Sequence, residues 1–177
     1  MSGQHQIRGL SVRIENARPD IDSSQVLDRL TRALDLIHAY APRCLRRMQR
    51  DLAGIVVRRF PCRGAFFHQE RECLVELTFT VNPRHSLAEI AASMVHEAMH
   101  ARLLAMCGPL PQHQRAREER LCRKAELEFG LAIPDGDTVV QRARIALQMA
   151  DQDVAPAVDW VEASRRVHSA DGGILGA

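Results

Sequence analysis

Val95-His96-Glu97-Ala98-Met99-His100 is the stretch around which this chain is organised. It lies in an apolar-rich segment that opens at Ser86-Leu87-Ala88-Glu89, a capping box, and stops at Gly108-Pro109. The pattern predicts one long helix over residues 86–106. Positions four apart project from one helical face, so His96 and His100 can grip a single zinc ion. Glu97 then stands beside the open coordination position, placed to take a proton from a zinc-activated water. Leu87, Ala91, Met94, Ala98, Ala101 and Ala105 form a strip of mostly small side chains opposite the histidines. A helix apolar nearly all round is a buried one, and two buried histidines need partners. One metal ion supplies both; otherwise two separate hydrogen-bond acceptors are required.

The bulk properties set the frame. At 177 residues, 46% apolar and 26% charged, the chain suits one soluble domain with a core that needs no staples. A formal charge of +2 gives no reason to expect a nucleic-acid or membrane partner. Cys44, Cys62, Cys73, Cys107 and Cys122 are odd in number, widely spaced and lack a C-x-x-C pair. That argues against a disulfide framework or a cysteine zinc knuckle and favours a reducing cytoplasm. Met1 to Leu10 lacks the apolar core of a signal peptide, and no run nears the roughly 18 apolar residues of a membrane span. Oligomeric state is not legible.

Before the central helix, residues 7–14 alternate loosely as a first strand. Asp20 to Ser24 offer caps for a helix through Val26, Leu30, Leu34 and Ile37, ending before Pro42. A short helix over 42–52 carries Arg43, Arg46, Arg47 and Arg50 outward, a solvated face given the small net charge. Ile55-Val56-Val57 and Ala65-Phe66-Phe67 read as short strands. Residues 73–81 alternate most clearly, with Val75, Leu77, Phe79 and Val81 on one face, as in an antiparallel or edge strand. Beyond the central helix, the spacing predicts helices over 111–131, 137–150 and 156–169. The apolar positions of the last two, including Val139, Ala143, Val158, Trp160 and Val161, read as packing, and the tail from Gly172 as frayed.

A catalytic zinc usually takes three protein ligands. The extended metzincin pattern would need Gly at 103 and His at 106; Leu103 and Met106 stand there instead. No aspartate falls between Asp51 and Asp135, which leaves the glutamates of the 111–131 helix. If that helix folds back antiparallel about residues 109–110, His100 lies level with Glu119. Glu119 is then about 3 Å along the axis from the midpoint of the histidines, and Glu126 about 7 Å. Glu119 is the preferred third ligand and Glu126 the runner-up. Should Glu119 bind metal, Glu126 is placed to hydrogen-bond a ligand imidazole or to pair with Arg123. Cys122, on the same face, reads as packing.

His96-Glu97-x-x-His100 with a glutamate on a second helix resembles the gluzincin branch of zinc-dependent metallopeptidases, over roughly residues 73–130. The run His96-Glu97-Ala98-x-His100-Ala101-Arg102-Leu103, with Arg115, Arg117, Glu119, Cys122, Glu126 and Phe129 downstream, is similar to small uncharacterised bacterial HExxH proteins. The resemblance implies an α+β, zincin-like fold: a small N-terminal antiparallel sheet, an active-site helix and a mostly helical C-terminal half. Residues 1–177 then form one zincin-like domain, with strands and two helices over 1–81, a metal-binding helical hairpin over 82–131 and C-terminal helices over 132–171. The Asn-Glu pair of the thermolysin group is here Glu118-Glu119.

The implied activity is peptide-bond hydrolysis, with one zinc ion on His96, His100 and Glu119 and Glu97 as general base. An oxyanion also needs a donor; His113, Arg115 and Arg123 are candidates near the metal segments, and Tyr40 and His68 are unplaced. In gluzincin-like enzymes a peptide substrate pairs with a sheet edge, a role expected of strand 73–81. The alternative is a non-catalytic zinc-binding regulatory or interaction module on the same fold.

Overall fold

The computed structural model describes residues 2–175 and is α+β, a mixed five-stranded sheet followed by a mostly helical half. Strands β1 (Ser2–Ile7) and β2 (Leu10–Glu15) form an antiparallel hairpin. Its two-residue turn places Arg8 at φ 49° and Gly9 at φ 75°, the conformation that matches the twist of the paired strands. The stretch 7–14 is therefore not one strand. Ile7 ends β1, whose polar sequence gave no alternating signal.

Helix α1 (Ser23–Tyr40) starts where the Asp22 side chain accepts from the Ser24 amide. It buries Val26, Leu30, Ala33, Leu34 and Ile37, the four larger side chains contributing about 2 kcal/mol each. Pro42 opens α2 (Pro42–Asp51), and its arginines 43, 46, 47 and 50 are exposed. The helices carry the chain from β2 back to β3 (Gly54–Arg58), which lies parallel to β2 and buries four of its five residues. Strand β4 (Gly64–Phe67) is followed by β5 (Glu72–Glu76), and the sheet order is β1-β2-β3-β5-β4.

Two expectations are corrected here. The sheet is mixed, not antiparallel, because the α1–α2 crossover brings β3 in parallel to β2, and β5 in turn lies parallel to β3. Residues 73–81 are not one edge strand either. β5 stops at Glu76 and is flanked by β3 and β4, while Leu77–Val81 form a short helix, α3. The Glu76 carboxylate accepts from the Phe79 amide, and Thr80 Oγ1 donates to the Glu76 carbonyl. Such local bonds offer the backbone a helical start that alternation alone does not reveal. The edge beside the central helix is β4.

That helix is α4 (Leu87–Cys107), and both halves of its capping box are made, with Gly108 at its C-terminal end. It packs against α1, α2, β4, β5 and α5 (Arg115–Ala132). A single 3₁₀ turn, Gln112–Gln114, precedes α5. Helix α6 (Asp137–Gln148) packs closely on α5, for a side chain at Gly130 would lie 3.0 Å from Val139 and Val140. After α7 (Asp151–Val154), α8 spans Trp160–Leu175, later at both ends than predicted; Gly176 and Ala177 lie outside the described residues.

Val139 and Ala143 are buried as expected, but Val158, Trp160 and Val161 are substantially exposed. Val158 and Trp160 line the cleft instead of filling the core, and Val161 lies on the surface. Helix α8 is pinned by charge: Asp171 accepts from Arg18 and Arg59, each at 2.9 Å, and Arg59 also pairs with Glu76. Among the described residues no helix is long and apolar enough to cross a membrane.

Candidate metal centre

His96 and His100 meet at their Nε2 atoms, 3.2 Å apart. The Glu119 carboxylate faces the same point, with Oε2 3.2 Å from His96 Nε2 and Oε1 3.6 Å from His100 Nε2. Donors at 2.0–2.2 Å around one tetrahedral ion stand about 3.3 Å apart, so these three side chains fit a zinc-sized ion. The far side of each ring is also held. His96 Nδ1 donates to Glu126 Oε1 at 2.6 Å and His100 Nδ1 to Glu118 Oε1 at 2.8 Å. A carboxylate on each Nδ1 orients the ring and leaves Nε2 for a metal.

The antiparallel packing of α4 and α5 thus brings together His96, Glu97, His100, Glu119, Glu126 and Arg123. Glu126 is almost fully buried, and its place is at the back of His96. Arg123 donates to its Oε1 at 2.6 Å, and Arg142 of α6 lies 3.4 Å from its Oε2. Arg142 also reaches Glu89 of the α4 capping box at 3.6 Å, so one guanidinium ties the start of the metal helix to the acid behind His96. The place of Glu118 behind His100 and the part played by Arg142 were not foreseen. The tandem Glu118-Glu119 was the available signal for the first; the pattern of α6 marked only its apolar face, leaving no signal for the second.

These contacts set the charges of the site. Burial disfavours a cation on His96, but the Glu119 and Glu126 carboxylates outweigh it and lift its pKa to about 9. Burial also works against charge on Glu119 and Glu126, yet His96 and neighbouring cations hold both below the usual carboxylate range. Glu97 is different. Burial pushes its pKa up, and nearby Glu119 and Glu126 add to the rise against the pull of the histidines. A raised carboxyl pKa suits a group that must both take and return a proton.

Glu97 lies against β4 at Gly64, where an added Cβ would stand 2.6 Å from Ser93 Oγ and 3.0 Å from Glu97 Oε1. Only glycine lets the edge strand approach α4 this closely. Beside it, the Cys62 thiol donates to the Gly64 carbonyl at 2.9 Å, and burial with the Glu97 charge pushes its pKa up to about 12. It is no nucleophile at neutral pH.

The site opens into a cleft of about 680 Å³ between β4, the start of α5 and the segment from Val154 to Trp160. Arg115, Arg123 and His68 line it. His113 does not; it is exposed on the 3₁₀ turn, and Tyr40 is exposed at the end of α1. Cys122, expected as packing, is fully buried, and its Sγ lies with ring nitrogens of His96 and His100 in a cluster no wider than 4.8 Å. Compared with protein-family models, with curated proteins and with solved structures, the chain matches none of them.

Proposed function

We propose that this chain is a zinc-dependent peptidase of the zincin type, with zinc held by His96, His100 and Glu119. The observation that carries the reading is the convergence of three donors whose outer sides are fixed by Glu126 and Glu118, with Glu97 lining the same cleft. Bound there, the metal would supply a Lewis acid that polarises a carbonyl and acidifies water. Glu97 takes the proton of the attacking water on its carboxylate and returns it to the leaving amide nitrogen. Arg115 and His68, which line the cleft, are the candidates to donate to the oxyanion. Strand β4 carries a free edge beside α4, so substrate backbone pairing is assigned to it in place of β5. Five free thiols are in keeping with a reducing cytoplasm.

A second reading, a zinc-binding interaction module without turnover, draws support from the buried Cys122, since four protein donors are the structural type of set. The test is a pair of measurements on purified protein. Stoichiometric zinc is expected in the wild type and in Glu97→Gln, and is expected to be lost in His96→Ala. Cleavage of a mixed peptide library is expected only in the wild type. Hydrolysis that survives Glu97→Gln removes Glu97 as the base, and zinc-free wild type removes the metal centre.

A further inference from the structure

We propose that Cys122 is a fourth protein donor to the metal, reaching it from the buried side. This rests on the metal-centre reading above and adds one ligand to it. Ring nitrogens of His96 and His100 and the Cys122 Sγ all lie within 4.8 Å of one another. Nitrogen and sulfur donors on one zinc-sized ion stand about 3.5 Å apart, a difference that rotation about a single Cα–Cβ bond spans. Cys122 follows Glu119 by three positions on α5 and so shares its face, one turn further along.

The direction of approach matters. His96, Glu97, His100 and Glu119 line the cleft, whereas Cys122 has no exposed surface and does not. A donor from behind would hold the ion on the buried side of the centre, away from the residues that line the cleft. The thiol also has no competing engagement. The Cys62 thiol is bonded to the Gly64 carbonyl, but among the described residues the Cys122 thiol makes no hydrogen bond. On metal binding the S–H proton leaves to solvent as the sulfur–metal bond forms, with no change of oxidation state. A thiolate donor makes the site select zinc, cobalt or cadmium over magnesium or manganese.

Cobalt(II) added to the full-length, metal-free protein reads this directly. The wild type and Cys62→Ser are expected to show d–d bands in the visible and a thiolate-to-cobalt charge-transfer band in the near ultraviolet. Cys122→Ser and Cys122→Ala are expected to keep the d–d bands and lose the charge-transfer band, with unchanged far-ultraviolet circular dichroism. Wild-type d–d bands without charge transfer overturn the role of Cys122 and leave the centre standing, as does a band that survives in Cys122→Ser. A wild type without any cobalt bands overturns the metal centre itself. If both Cys122 variants fail to fold, cadmium added to metal-free Cys62→Ser decides: thiolate-to-cadmium absorption supports the Cys122 ligand, and its absence overturns it.

Discussion

His96 Nδ1 donates to Glu126 Oε1 across 2.6 Å, from α4 to α5, while the opposite ring nitrogen faces Glu119. The two acids that compete in sequence for the third-ligand position thus stand on opposite sides of one imidazole. Glu126→Gln keeps an acceptor for Nδ1 but loses the charge. It is expected to retain one metal per chain with affinity lowered about 10–100-fold. Glu119→Ala is expected to lose stoichiometric metal. Competition against a chromophoric chelator measures both, and the reverse pattern would exchange the roles of the two glutamates.

Protons compete with metal at His96. Its pKa rises from about 6.5 to about 9 in the folded, metal-free chain. Because the folded value is the higher, this group's contribution to stability is complete below about pH 6.5 and is lost as pH rises through about 9. Chelated wild type should therefore lose thermal stability across that window relative to His96→Ala. Metal affinity should run the other way, rising with pH until Nε2 is free. Calorimetry in buffers of different ionisation enthalpy should show proton release on metal uptake at neutral pH; no release would contradict the raised pKa.

Gly64 lies where β4 meets Glu97. An added methyl would stand 2.6 Å from Ser93 Oγ and 3.0 Å from Glu97 Oε1, so Gly64→Ala is expected to destabilise by about 1–3 kcal/mol and to displace the Glu97 carboxylate. Removing the Ser93 hydroxyl relieves the closer of the two approaches. The double variant Gly64→Ala/Ser93→Ala should then be more stable than the sum of the single changes by about 0.5–1 kcal/mol or more. Denaturant melts of the four proteins complete the cycle. Strict additivity would mean that β4 moves away from α4 as a unit.

Helix α4 was legible because its signals are local: Ser86 and Glu89 at one end, Gly108 at the other, and histidines four apart between them. Glu119 was legible through one step of geometry, the antiparallel return of α5. The strand order was not, since β2 reaches its parallel neighbour β3 through two helices and β3 reaches its parallel neighbour β5 through the edge strand β4, paths that no local pattern specifies. Residues 77–81 alternate like a strand and fold as a helix because Glu76 caps them. The Glu118–His100 and Arg142–Glu126 contacts depend on side-chain direction at a helix crossing, below the resolution of spacing arguments.

The cleft wall from Val154 to Trp160 is held at its far end by one carboxylate. Asp171, mostly covered, bridges Arg18 and Arg59, and Trp160 packs on Phe60 with ring centroids 5.6 Å apart. Hydrogen bonding to Arg59, with Arg18 adding to it, holds the Asp171 carboxyl below its ordinary range. The folded value is the lower, so the contribution to stability is present above about pH 4 and is lost as pH falls through that depressed value. Asp171→Asn should show the released state at neutral pH, at a cost of about 2 kcal/mol. Trp160 is the only tryptophan in the chain, so its fluorescence reports the change without a label. The variant is expected to give red-shifted emission and faster proteolysis after Ala155, with metal content unchanged because the metal ligands lie on α4 and α5. Loss of metal together with the helix would instead make α8 part of the support of the centre.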